Sequence, residues 1–257
     1  MTQRGRRAQG AAWAQADRRV TVPSASFPGG IERARGAGTI TPVSALAYAL
    51  EPSQMIRSVA ASRDTLGRVH IKLFDIVHQV TALTGGAPYA VIGGLAQMLW
   101  ARKTHTDDLD VLLAAGDLAR AHAEVRDQRA EGWTLPDPPD RPHEQNDVFE
   151  VYHLLYQGSV VDLLSYRDAA FAVEILVTAV PVPELRGISF IRPELLLVTQ
   201  LLRPGAMAAI AATELTLARR ATGSFDAAYA ERWAAQVGRA EALRRTFARA
   251  DELERNA

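Results

Sequence analysis

Two aspartates one residue apart, Asp108 and Asp110 in Thr-Asp-Asp-Leu-Asp-Val-Leu-Leu (106–113), are the residues of this chain best suited to chemistry. In an extended strand alternate side chains share a face, so both carboxylates project to one side while Leu109 and Val111 enter the core on the other. Two like charges held that close repel, and one is driven to take up a proton unless a cation lies between them. A divalent metal resolves the conflict. The chain has no cysteine, which excludes disulfides, thiolate zinc and a cysteine nucleophile. Oxygen donors then favour Mg²⁺ or Mn²⁺. Fifteen aspartates in the chain make one such pair an ordinary event, so its surroundings must carry the assignment. Asp107 reads as a solvated neighbour of the pair.

Upstream, Ile92-Gly93-Gly94 ends an apolar run and opens a helical one. Glycines at such a turn let backbone approach a phosphate, and the first N–H groups of the helix point at it. A phosphate-cradling turn followed by a metal-binding strand suggests a nucleoside triphosphate with its magnesium. Asp162, in Gly-Ser-Val-Val-Asp-Leu-Leu-Ser-Tyr (158–166), lies in the middle of an apolar strand. A carboxylate there costs several kcal/mol unless it is paired or bound to metal.

The elements that must position these residues follow from periodicity. Leu66, Val69, Leu73, Ile76, Val77, Val80 and Leu83 recur at helical spacing between an N-cap at Asp64 and a stop at Gly85-Gly86. Residues 89–92 and 109–113 read as strands, with a short helix at 95–102 between them. Another helix follows, with Asp117 near its start. Residues 134–147 hold four prolines and form a loop. Phe149–Tyr156 and Val160–Leu164 form a hairpin across Gln157-Gly158-Ser159. Pro193 opens a helix that Pro204-Gly205 ends, and further helices break near Gly223 and Gly238. The expected organisation is a basic arm over 1–40, poor in order, an α+β domain over 41–191, and a helical subdomain over 192–257.

Composition narrows the partners. Lys+Arg and Asp+Glu both total 29, so charge gives no reason to expect a general nucleic-acid coat protein. Only Lys72 and Lys103 are lysines, which leaves most phosphate contacts to arginine. No apolar run reaches the roughly 18 to 20 residues of a membrane helix. No apolar segment follows the basic N-terminus either, so a cytoplasmic protein without a membrane partner is expected.

Ile-Gly-Gly, thirteen residues and then Asp-Leu-Asp-Val resembles the motif of the polymerase-β-like nucleotidyltransferase superfamily. Within it, residues 91–113 are similar to the AbiEii-type nucleotidyltransferases, the toxins of type IV toxin–antitoxin systems. The resemblance spans about residues 85 to 230. It implies a nucleotidyltransferase fold, with a mixed sheet flanked by helices and a C-terminal helical subdomain. It also implies that Asp108 and Asp110 hold Mg²⁺ or Mn²⁺, joined by Asp162 as third carboxylate, metal ligand or general base. Gly93, Gly94, Arg102, Lys103 and Thr106 would contact the NTP. The implied reaction transfers an NMP to an acceptor hydroxyl with release of pyrophosphate; the toxin likeness points to RNA or tRNA as acceptor and to an antitoxin as protein partner.

Departures from the family pattern keep other readings open. Thr104 stands where the family has arginine, and neither of its C-terminal lysines is present. Gln200 or Arg203 occupies the first of those regions and Asp226, which also suits a helix N-cap, the second. A small molecule such as an antibiotic, or a protein, could be the acceptor. A catalytically inert nucleotidyltransferase-like binding module is the reading from outside enzymology.

Overall fold

The computed structural model describes residues 65–101, 103, 106–136 and 144–256. The basic arm, Asp64, Arg102, Thr104 and residues 137–143 of the proline-rich loop lie outside the described residues. The described residues all belong to the compact unit Pro42–Ala257.

Alternation of apolar and polar side chains builds one mixed sheet. Its strands are β1 (Tyr89–Val91), β2 (Asp108–Leu113), β3 (Trp133–Thr134), β4 (Glu144–Gln145), β5 (Phe149–Tyr156), β6 (Ser159–Tyr166), β7 (Val180–Val182) and β8 (Ile188–Phe190). The order is β3-β5-β6-β2-β1-β8-β7, with β4 also pairing with β5. Central strand β2 runs antiparallel to β1 and parallel to β6. On one face of β2 and β6, Leu109, Val111, Val161 and Leu163 are fully buried. The opposite face carries Asp108, Asp110 and Asp162 at one end and Leu112 and Leu164 farther along.

Helices cover the sheet. Helix α1 (Thr65–Leu83) packs on β2 through Leu73, Ile76, Val77 and Val80, the stripe expected from spacing. Helix α2 (Gly93–Trp100) joins β1 to β2, and α3 (Ala115–Arg126) lies against β6 and β3. Helix α4 (Ala169–Val177) is capped by Asp168, whose carboxylate accepts from Phe171 N–H at 3.0 Å, and packs on β1, β2 and β6. Neither α4 nor the β7–β8 hairpin was expected. Each is short, and α4 is apolar around much of its circumference, so no periodicity marks it.

Beyond β8 the chain is helical: α5 (Pro193–Leu202), α6 (Ala206–Ala221), α7 (Ala227–Gln236) and α8 (Ala240–Arg255). Helix α5 is the core of this part. Residues 193–200 are all buried, and it contacts α2, α6, α7 and α8, which is why its sequence is mostly apolar. Trp100 Nε1 donates to the Ile191 carbonyl at 2.7 Å, and Ile191 N–H donates to Val91 O at 3.0 Å. These bonds tie the start of the helical part to the strand that leads into α2. Among the described residues no helix is long and apolar enough to cross a membrane.

Candidate active site

Parallel pairing of β2 with β6 puts Asp110 directly beside Asp162, one strand spacing away, and Asp108 two residues along the same face. Carboxylate oxygens of the three residues lie within 4.8 Å of one another, and each residue is half-buried. This is the one such group of potential metal ligands among the described residues. Three hard oxygen donors converging at that range fit Mg²⁺ or Mn²⁺ better than zinc.

Each carboxylate is also held by the protein. Thr106 Oγ1 donates to Asp108 Oδ1 at 2.7 Å. Gly94 N–H, in the first turn of α2, donates to Asp110 Oδ2 at 3.2 Å. His153 Nδ1 is paired with Asp162 Oδ1 at 2.8 Å. Burial, foremost, and then the negative charges of Asp108 and Asp162 push the Asp110 carboxyl up to about 6. The Gly94 N–H and the Arg203 guanidinium pull it the other way. Like charge and desolvation therefore outweigh the favourable contacts.

The glycine pair has a specific task here. Gly93 has φ of +57°, and a Cβ on it would stand 1.8 Å from Asp110 Oδ2. A Cβ on Gly94 would stand 2.0 Å from Thr106 Oγ1 and 3.0 Å from Lys103 Nζ. The space that side chains would take beside the helix start is filled by the carboxylate, the hydroxyl and the ammonium of this chain. Both glycines thus adjoin the triad, and the Gly94 N–H is engaged by Asp110.

Of the other residues expected at the site, Lys103 is exposed and close to Gly94, and Thr106 is buried against Asp108. Arg102 lies outside the described residues. Asp107 is exposed beside the triad. Asp226 is an N-cap: its carboxylate accepts from Tyr229 N–H at 2.9 Å at the start of α7.

A cleft of about 370 Å³ opens beside Asp110 and Asp162. Phe149, Val151, Leu164 and Tyr166 wall the sheet side, and Thr199, Gln200, Leu202, Arg203 and Pro204, at the end of α5, close the other. Gln200 and Arg203, which occupy the region of a family lysine, both reach it. Burial drives the Tyr166 hydroxyl well above the ordinary phenol range, more than the Thr199 hydrogen bond lowers it; it is a neutral polar group on the cleft wall. His153 and Tyr166 were not singled out from sequence. The signal was present: Phe149, Val151 and His153 alternate on one face of β5, opposite Tyr166, Leu164 and Asp162.

No protein-family model and no curated protein matches the chain, so membership of the AbiEii-type family is not shown. Among solved structures the chain is similar to the crystal structure of ANT(2″)-Ia in complex with adenylyl-2″-tobramycin. The two are 16% identical over 68% of this chain and 98% of that one, with a TM-score of 0.38. It is also similar to the solution structure of the antibiotic-resistance factor ANT(2″)-Ia, at 15% identity over 73% of this chain and 99% of that one, with a TM-score of 0.41. What the site can do chemically is carried by its own residues.

Proposed function

We propose that the protein is a metal-dependent nucleotidyltransferase that moves an NMP from an NTP to an acceptor hydroxyl. The observation that carries this reading is the carboxylate triad on paired strands at the rim of a cleft, with the start of a helix beside it. Asp108, Asp110 and Asp162 would hold one or two Mg²⁺ or Mn²⁺ ions. Bound there, the metal supplies neutralisation of charge at the α-phosphate and on the departing pyrophosphate. Lys103, near the positive end of α2, and Arg203, across the cleft, offer cations to the phosphates. Arg102 is a further candidate by sequence. Asp162 would also serve as general base for the proton of the acceptor hydroxyl. The acceptor oxygen forms a bond to the α-phosphorus, the bond from that phosphorus to the β-phosphate bridge breaks, and pyrophosphate leaves.

The acceptor that the cleft favours is a small molecule bearing a hydroxyl group. Its volume falls in the range of small-molecule sites. Among the described residues its lining holds one guanidinium, that of Arg203, and no lysine, whereas an RNA acceptor calls for a track of phosphate contacts. A protein acceptor, the toxin role with RNA as acceptor and an antitoxin, and the inert binding module remain outcomes of the same experiment. Purified protein, each α-labelled NTP and Mg²⁺ are incubated separately with total RNA, with a panel of aminoglycosides and other polyhydroxylated small molecules, and with protein extract. Label on a small molecule together with pyrophosphate release supports the proposal. Label on RNA or on protein moves the acceptor. Nucleotide binding without pyrophosphate release in every arm overturns catalysis.

A further inference from the structure

Hydrogen bonds reach all three carboxylates of the triad, and their sources differ. Thr106 and Gly94 belong to the segment that leads from α2 into β2. His153 comes from a separate strand. In the antiparallel β5–β6 pair His153 is the direct partner of Asp162, and Asp162 in turn is the direct partner of Asp110 in the parallel β6–β2 pair. Three adjacent strands therefore place His153, Asp162 and Asp110 in one row across the sheet, on the cleft face. Strand pairs this close put facing side chains within about 5 Å, and the 2.8 Å contact from Nδ1 to Oδ1 uses that proximity.

We infer that His153 is a positioning residue for the metal site. It fixes the plane and rotamer of Asp162, so that the carboxylate is presented to the cation together with those of Asp108 and Asp110. The inference rests on the metal-dependent reading above. Carboxylates that ligate metals are themselves hydrogen-bonded, and losing such a partner typically weakens metal binding about 10- to 100-fold. Asp162 faces two like charges across the sheet, and the contact with His153 opposes the repulsion that would turn its carboxylate toward water.

The atom that makes the contact supplies the test. It is Nδ1, the nitrogen nearer the backbone. Asparagine puts an amide nitrogen close to the place of Nδ1, glutamine puts one nearer to that of Nε2, and leucine has none. Mn²⁺ alone is titrated into the full chain and free Mn²⁺ is read by electron paramagnetic resonance, with melting curves recorded without metal as a control of folding. The expected result is that wild type and His153→Asn bind Mn²⁺ within a few-fold of each other. His153→Gln and His153→Leu should be weaker by about tenfold or more. Equal affinity of His153→Gln and His153→Asn, or binding by His153→Leu that matches or exceeds wild type, overturns the positioning role and leaves the metal site standing. Should His153→Leu not fold, the Asn and Gln pair decides. Absence of Mn²⁺ binding by the wild type overturns the metal reading itself, and the role of His153 with it.

Discussion

Glu194 and Asp110 are both acidic, the first buried and the second half-buried, and differ in how their charge is met. Glu194, in the first turn of α5, is 2% exposed. Arg192 Nε lies 3.3 Å from one of its oxygens, and Asp226 N–H donates to the other at 3.1 Å. Each oxygen has a donor, and the residue pins α5 to the start of α7. Asp110 has the Gly94 N–H and the charge of Arg203 and, against them, burial and two carboxylates. A buried charge that is fully satisfied belongs to the architecture. One that its neighbours repel at the mouth of a cleft is a candidate for binding a partner of opposite sign.

The widest separation between the two residues should come from Asp110→Asn. If the triad binds the catalytic metal, transfer of labelled NMP falls about 10³-fold, on the scale of losing a principal electrostatic stabiliser, while the melting temperature holds or rises because a repulsion has been removed. A variant that keeps its activity would put Asp110 in the same structural class as Glu194. Glu194→Ala should do the reverse. Stripping the acceptor from Arg192 and from Asp226 N–H costs about 3 kcal/mol in denaturant unfolding, with turnover per folded molecule preserved.

Gly93→Ala sharpens the contrast from the side of the backbone. Its Cβ meets the Asp110 carboxylate and its φ is positive, so a loss of about 1–3 kcal/mol is expected, accompanied by weaker Mn²⁺ binding in the same protein. The same substitution at Gly116, beside which a Cβ meets nothing within 4 Å, should cost far less. The smallest effect is on pH. Because the folded-state carboxyl of Asp110 titrates near 6, above its ordinary 3.8, the native state binds the proton more tightly than the unfolded chain does. Its contribution to stability is therefore greatest below about pH 4 and is lost as pH rises through 6. In metal-free buffer, the wild type should lose melting temperature across that window relative to Asp110→Asn, and added Mg²⁺ should restore it above pH 6.

Much of the carboxylate site was legible because it is written in local rules. Period-two alternation put Asp108 and Asp110 on one face, and the paired glycines preceded them at a helix start. What escaped was a matter of register. The hairpin expected from Gln157-Gly158-Ser159 has a three-residue connection, which would set Asp162 opposite Leu154. The actual turn has two residues, Gln157 and Gly158, both at positive φ, and it pairs Tyr156 with Ser159 and so His153 with Asp162. One residue of slip exchanges a cleft-facing histidine for a leucine that is fully buried on the other face. Gln157 is a poor advertisement for a left-handed residue, and that is why the turn was overcounted. The cleft itself could not be anticipated, because it needs the end of α5 brought against β5 and β6, and no local pattern encodes that approach.

The row that joins β5, β6 and β2 also has a bearing on how the molecule comes into being. Asp110 and Asp162 stand fifty-two positions apart in the chain and yet are immediate lateral neighbours. A hairpin closes in microseconds, whereas a parallel pair across such a span must first bear the entropy of closing a long loop. On the ribosome, β2 leaves the exit tunnel with two of its carboxylates well before the third has been synthesised. Cation binding would then report the closure of that pair, and a time-resolved Mn²⁺ signal during refolding would mark when the centre of the sheet zips shut.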